Sequence, residues 1–158
     1  MRRVVIGDRE GKSSVLLDGE VAKFYSLPLD PKKRDVISEI WATDGIPVLP
    51  GLGNDPTIDM TSYMPPIGAT RGKVLKYPPD KEVAELMRKA TESGIDFFKE
   101  FYGQMPGIDN PEKVTGLHAS DSVDYGVIIS GQIDVEVDDG REVHLNAGDS
   151  YVMVGSSH

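Results

Sequence analysis

Residues 116–140 run GLHASDSVDYGVIISGQIDVEVDDG, and the reading of this stretch governs the rest of the chain. Its second half, continued as IDVEVDDGREVHL, alternates: Ile133, Val135 and Val137 fall on one face of an extended chain, Asp134 and Glu136 on the other. Asp138, Asp139 and Gly140 form a turn signal, after which Val143 and Leu145 return to the apolar face with His144 outward. The pattern predicts a half-buried β-hairpin on which His144 is a solvated residue. The first half carries more than a plain strand needs. His118, Ser120, Ser122 and Asp124 share parity, so an extended backbone presents them on one face, where polar groups can converge on a ligand.

Composition bounds what that ligand can be. The chain has 158 residues, the size of one domain. Its 26 acidic residues against 17 basic ones give a formal net charge of −9, which repels phosphate backbones and anionic surfaces, so neither nucleic acid nor a membrane is an expected partner. There is no cysteine, so a metal would have to rest on histidine, carboxylate or water. The start MRRVVIGDREG has no apolar core of a signal peptide, and nowhere do about 18 apolar residues run together. A cytoplasmic location is the expectation.

Outward from the hairpin, the amino-terminal half is also β in character. RRVVIGD, SSVLLDG, DVISEIWATDG and TRGKVLKYPP are rich in β-branched residues and closed by Gly, Asp or Pro. Between the last two lies IPVLPGLGNDPTIDMTSYMPPIGA, whose five prolines forbid a regular helix and predict an ordered loop crossing the surface. After Pro78 and Pro79 the period changes. Asp80 is placed to cap KEVAELMRKATESG, and Val83, Leu86, Met87 and Ala90 form one helical face until Gly94 ends or kinks it. Ile95, Phe97, Phe98, Phe101 and Tyr102 then predict a helix face packed on a sheet, with a lid over a pocket as the sharper alternative. The expected organisation is a single domain over 1–158: strands and loop to 79, a helical insertion over 80–113, and the motif region over 114–158.

The site residues carry a resemblance. His118, Ala119, Ser120, three residues, Asp124, six residues and Gly131 resemble the first motif of the cupin family, with Ser120 where the second histidine usually stands and Asp124 in place of glutamate. Gly148, YVMV, Gly155 and His158 resemble the second motif. The phrase H-x-S-D-S-x-DYG-x-x-x-SG-x-I is similar to a group of small single-domain cupins, including proteins encoded among microbial and fungal secondary-metabolism genes. The resemblance implies a mainly β fold, a cupin-type double-stranded β-helix (jelly-roll) barrel with one helical insertion around residues 80–103. It also implies further strands beyond the second-motif histidine, so a chain ending at His158 is expected to leave an open barrel edge and to bind metal weakly.

The resemblance further implies a chemistry. His118, Asp124 and His158 would be ligands to Fe, Mn, Ni or Zn, with Ser120 and Ser122 lining a substrate pocket and Tyr125 as proton donor or orienting group. Two imidazoles and one carboxylate leave positions open for a small oxygenated substrate, for a dioxygenase, decarboxylase, dehydratase or isomerase. Two alternatives stay open on the same residues: a metal-free small-molecule-binding module, and a degenerate barrel whose role is dimerisation. A homodimer is expected, because short amino-terminal strands leave edges that a partner sheet covers.

Overall fold

The computed structural model describes the chain except residues 33–34, 51–53, 115–120 and 156–158. It is mainly β. Nine strands, two α-helices and one 3₁₀ turn are described, and the chain divides into two compact units, Met1–Lys113 and Val114–His158. Each is taken by itself.

In the first unit, β1 (Arg2–Arg9) and β2 (Lys12–Glu20) form an antiparallel hairpin in which Arg9 faces Lys12. The two turn residues, Glu10 and Gly11, both have positive φ (56° and 76°), the backbone that matches the twist of flanking strands, and the Asp8 carboxylate accepts from Gly11 N at 2.9 Å. A second sheet has the order β3 (Phe24–Ser26), β4 (Asp35–Thr43), β5 (Thr70–Leu75), antiparallel throughout. In β4 four successive residues, Val36, Ile37, Ser38 and Glu39, are buried. A strand covered on one face alternates; this one is covered on both.

The helical region was expected over 80–103 and is found as α1 (Asp80–Glu92) and α2 (Phe97–Tyr102). Leu86 and Ala90 are buried on α1 beside Phe97, with Val83, Met87 and Ile95 packed around them, so the predicted face is the one that packs. The cap differs from expectation: Pro79 occupies it and Asp80 is already helical, so the side chain adds acid to the first turn and no cap hydrogen bond. Gly94, at φ 68°, ends the helix, and the Asp96 carboxylate caps α2 by accepting from Lys99 N at 3.0 Å. Of the aromatic run, Phe97 is buried while Phe98 is 39% exposed; Phe101 and Tyr102 pack with Tyr63 and Leu27 against Tyr25, Val36, Ile37 and Met105.

The proline-rich segment forms no strand or helix among its described residues, but it does not merely cross the surface. Thr57 and Met60 are buried, and the backbone oxygens of Ser62 and Tyr63 accept from Arg71 and Lys73 of β5. Cationic side chains here satisfy carbonyls that no ladder satisfies.

In the second unit the expected hairpin is present as β7 (Gln132–Glu136) and β8 (Glu142–Asn146), with Ile133 facing Leu145, Asp134 facing His144 and Val135 facing Val143. Around it, β6 (Val123–Val127) pairs antiparallel with β9 (Ser150–Val154), so one two-stranded pair is nested in sequence within another. Gly126 faces Tyr151, and a Cβ there would fall 2.1 Å from the Tyr151 ring, so glycine makes room for the tyrosine across the ladder. No described residue of this unit is fully buried. Among the described residues the sheets are small and none closes into a barrel.

Candidate functional site

Three residues assigned from sequence, His118, Ser120 and His158, lie outside the described residues. The others are on or beside β6. Asp124 is half-buried, and its Oδ1 accepts from the Ser122 hydroxyl at 3.0 Å, so the shared parity of these two residues does bring them together. Tyr125 follows the same alternation to the opposite face, where it is 81% exposed beside Val123 and Val127. The strand therefore does not carry the phenol to the side of Asp124.

The pairing of β6 with β9 gives this end of the sheet its geometry. Asp124 faces Met153 and Val123 faces Val154, and one step further Gly155 N donates to Ser122 O at 3.1 Å. Ser122 and Gly155 are thus the neighbouring ends of two antiparallel strands. His118 lies four residues before the first in sequence, and His158 three residues after the second. Among the described residues no group of three or more histidines, aspartates or glutamates is close enough to hold a metal ion. Asp124 is a hard oxygen donor oriented by Ser122, a suitable member of such a set but not a set by itself.

His144 is exposed, as its outward parity predicts, with Nδ1 2.6 Å from Asp134 Oδ1. That hydrogen bond, aided by Asn146 and by the charges of Asp134 and Asp149, holds the imidazole above its ordinary pKa.

The first unit contains a polar cluster that sequence reading passed over. Glu39 on β4 faces Lys73 on β5, and Glu39 N donates at 3.0 Å to the backbone oxygen of Lys23, just ahead of β3, so Lys23, Glu39 and Lys73 lie in one row. Tyr25 lies next to it on β3, edge-on to Tyr63 at 5.7 Å between ring centroids. Glu39 is 0% exposed and Tyr25 1%. Among the described residues, neither carboxylate oxygen of Glu39 nor the Tyr25 hydroxyl has a hydrogen-bond partner. Burial raises the Glu39 pKa against the pull of Lys73, Arg71 and Lys23, and burial together with Glu39 raises Tyr25 and Tyr63. A signal was available in sequence: VISEIW is an apolar run without alternation, and a charge inside such a run belongs to a strand buried on both faces.

A buried ion pair also touches β4. Arg3 of β1 donates to Ile40 O at 2.9 Å and makes a two-point contact with Asp55, whose Oδ1 also accepts from Thr57 N and Thr57 Oγ1 at 3.0 and 2.7 Å. Burial alone would raise Asp55; the hydrogen bonds from Arg3 and Thr57 outweigh it and hold the carboxyl below its ordinary value.

No family model matches the chain. Over 79 residues it is 30% identical to "Phomopsin biosynthesis cluster protein C'" of Diaporthe leptostromiformis, covering 42% of each protein. Over 42 residues it is 40% identical to "Phomopsin biosynthesis cluster protein D" of the same organism, covering 27% of this chain and 22% of that one. The chain thus spans less than half the length of these curated relatives.

Proposed function

We propose that this chain acts on a small oxygenated organic molecule, at a site on the Ser122 and Gly155 end of the β6–β9 pair. Asp124, with His118 and His158 from the adjoining segments, would hold a divalent metal there. The observation that carries the reading is the Ser122–Gly155 hydrogen bond, because it joins the two strand ends from which both histidine-bearing segments continue. The nested pairing of β6–β9 around β7–β8 supports the cupin-type jelly-roll reading, since such a barrel is a long antiparallel ribbon folded over on itself. The biosynthesis-cluster names of the two similar proteins support a role in biosynthesis.

A bound metal would supply Lewis-acid polarisation of a substrate oxygen. The protein's own part is to fix its donors. Ser122 holds one oxygen of Asp124, which limits the rotation of that carboxylate and leaves less conformational entropy to lose when a ligand binds. The test is calorimetric titration with Mn(II) and Zn(II) of the parent, Asp124→Ala and His118→Ala. One-to-one binding by the parent that fails in both variants supports the metal set. Binding unchanged in both refutes it, and no binding by the parent leaves the metal-free pocket as the reading to pursue.

Pairing of two copies belongs to the same proposal. The β1–β2 hairpin pairs with no third strand among the described residues and exposes Val4, Ile6 and Val15, an edge and an apolar surface that a second copy would cover. Light scattering at micromolar concentration decides between a monomer of 17.2 kDa and twice that mass.

A further inference from the structure

Glu39 is the feature of this molecule most in need of a physical explanation. It is wholly excluded from solvent in the middle strand of a three-stranded sheet, and both its oxygens lack hydrogen-bond partners among the described residues. An ionised carboxylate in that setting is costly unless a cation donates directly to it. Three cations lie within electrostatic reach, Lys23 ahead of β3 and Arg71 and Lys73 on β5, yet none hydrogen-bonds the carboxylate. Arg71 donates to the backbone oxygens of Ser62 and Thr43 and pairs with Asp44, while Lys73 donates to Tyr63 O and sits 3.3 Å from the Tyr63 ring centroid. Among the described residues the other titratable groups facing the cluster are phenols: Tyr25 from β3 and Tyr63 from the β4–β5 segment, with Tyr77 and Tyr102 beyond Tyr63. A metal is a poor occupant beside three cations, whereas a proton removes the charge and needs no space.

We propose that the first unit stores a proton on Glu39, and that this carboxyl is a pH-sensitive lock on the β3–β4–β5 sheet, closed while neutral and loosened as it ionises. The raised titration of the buried group agrees with the geometry. The sign follows from linkage. A carboxyl held higher in the folded than in the unfolded chain favours folding fully below its unfolded value, and that advantage is lost as pH rises through the folded value. Ionisation calls for water, which can reach this buried position only if the packing around β4 opens. The paired carboxyls Asp35, Asp55 and Glu85 are shifted the opposite way and act only in more acid solution, so the two effects occupy different ranges.

The chain supplies its own reporter. Trp41, its only tryptophan, lies two residues from Glu39 on β4. Urea unfolding of the full chain, followed by Trp41 fluorescence, should be compared with Glu39→Gln, which keeps the shape of the neutral acid. From about pH 4.3 upward to the folded value, the unfolding constant of the parent should rise relative to the variant by up to about tenfold per pH unit. A ratio that stays constant with pH, or falls, overturns the proposal. Should Glu39→Gln not fold, carboxyl-carbon NMR of the glutamate-labelled parent still decides. One glutamate should remain neutral after the others have ionised; the absence of any glutamate titrating above the ordinary range overturns the lock.

Discussion

Removing Arg3 should destabilise the first unit far more than its place near the amino terminus suggests. The Arg3 and Asp55 side chains are 9% and 8% exposed, so the pair is a buried one. Truncating Arg3 to methionine keeps much of the stem but strips two charge-assisted hydrogen bonds from a buried carboxylate and one donor from Ile40 O. Thr57 still donates twice to Asp55, which softens the loss without supplying a counter-charge. Breaking such a pair costs about 3–5 kcal/mol, a range that already includes the roughly 1 kcal/mol of an unmet carbonyl. Urea unfolding read at Trp41 measures it directly. In Arg3→Met/Asp55→Asn the amide oxygen still serves Thr57 and no charge is stranded, so the double variant should be milder than the sum of the singles by at least about 1 kcal/mol. The pH dependence has a definite sign: Asp55 is held below its ordinary value, so its contribution is present above about pH 3.9 and fades as pH falls through the depressed value. A loss below about 1 kcal/mol for Arg3→Met would place the pair with surface contacts and refute the reasoning.

Two further outcomes are expected. Phe97→Ala should cost about 3–5 kcal/mol as a core truncation, whereas Phe98→Ala, whose ring is 39% exposed and stacked on Tyr102, should cost about 1–2 kcal/mol; equal losses in urea unfolding would contradict the packing described. In the second unit, Asp134→Asn should lower the NMR titration midpoint of His144 towards the ordinary imidazole value, because the hydrogen bond to Asp134 is the main cause of its elevation. In the parent the favourable pairing is complete below the ordinary value and is lost as pH rises through the elevated one, and a midpoint that does not move removes Asp134 as the cause.

In the second unit the contact between Ser122 and Asp124 and the pairing of Asp134 with His144 were legible because strand parity is a local rule. Ser122 and Asp124 share a face, Asp134 and His144 share the opposite side of their hairpin from Ile133 and Leu145, and both statements follow from a period of two. The same rule separates Tyr125 from Asp124, and taking it one residue further would have shown the phenol on the other face. The Glu39 cluster was not legible by parity, since β4 is buried on both faces and its bulge at Ile40 shifts the register between Glu39 and Trp41.

By itself the sequence determined the elements: the β-branched runs, the turn at Gly140, the apolar face of α1 and the stop at Gly94 are consequences of backbone preference and period, which neighbouring residues settle among themselves. Only tertiary structure decided which charges went inside. Arg3 meets Asp55 across 52 residues and Glu39 faces Lys73 on the neighbouring strand; whether a charge at such a position is solvated, paired or held neutral depends on which groups cover it, and a local pattern such as VISEIW signals burial without naming those groups.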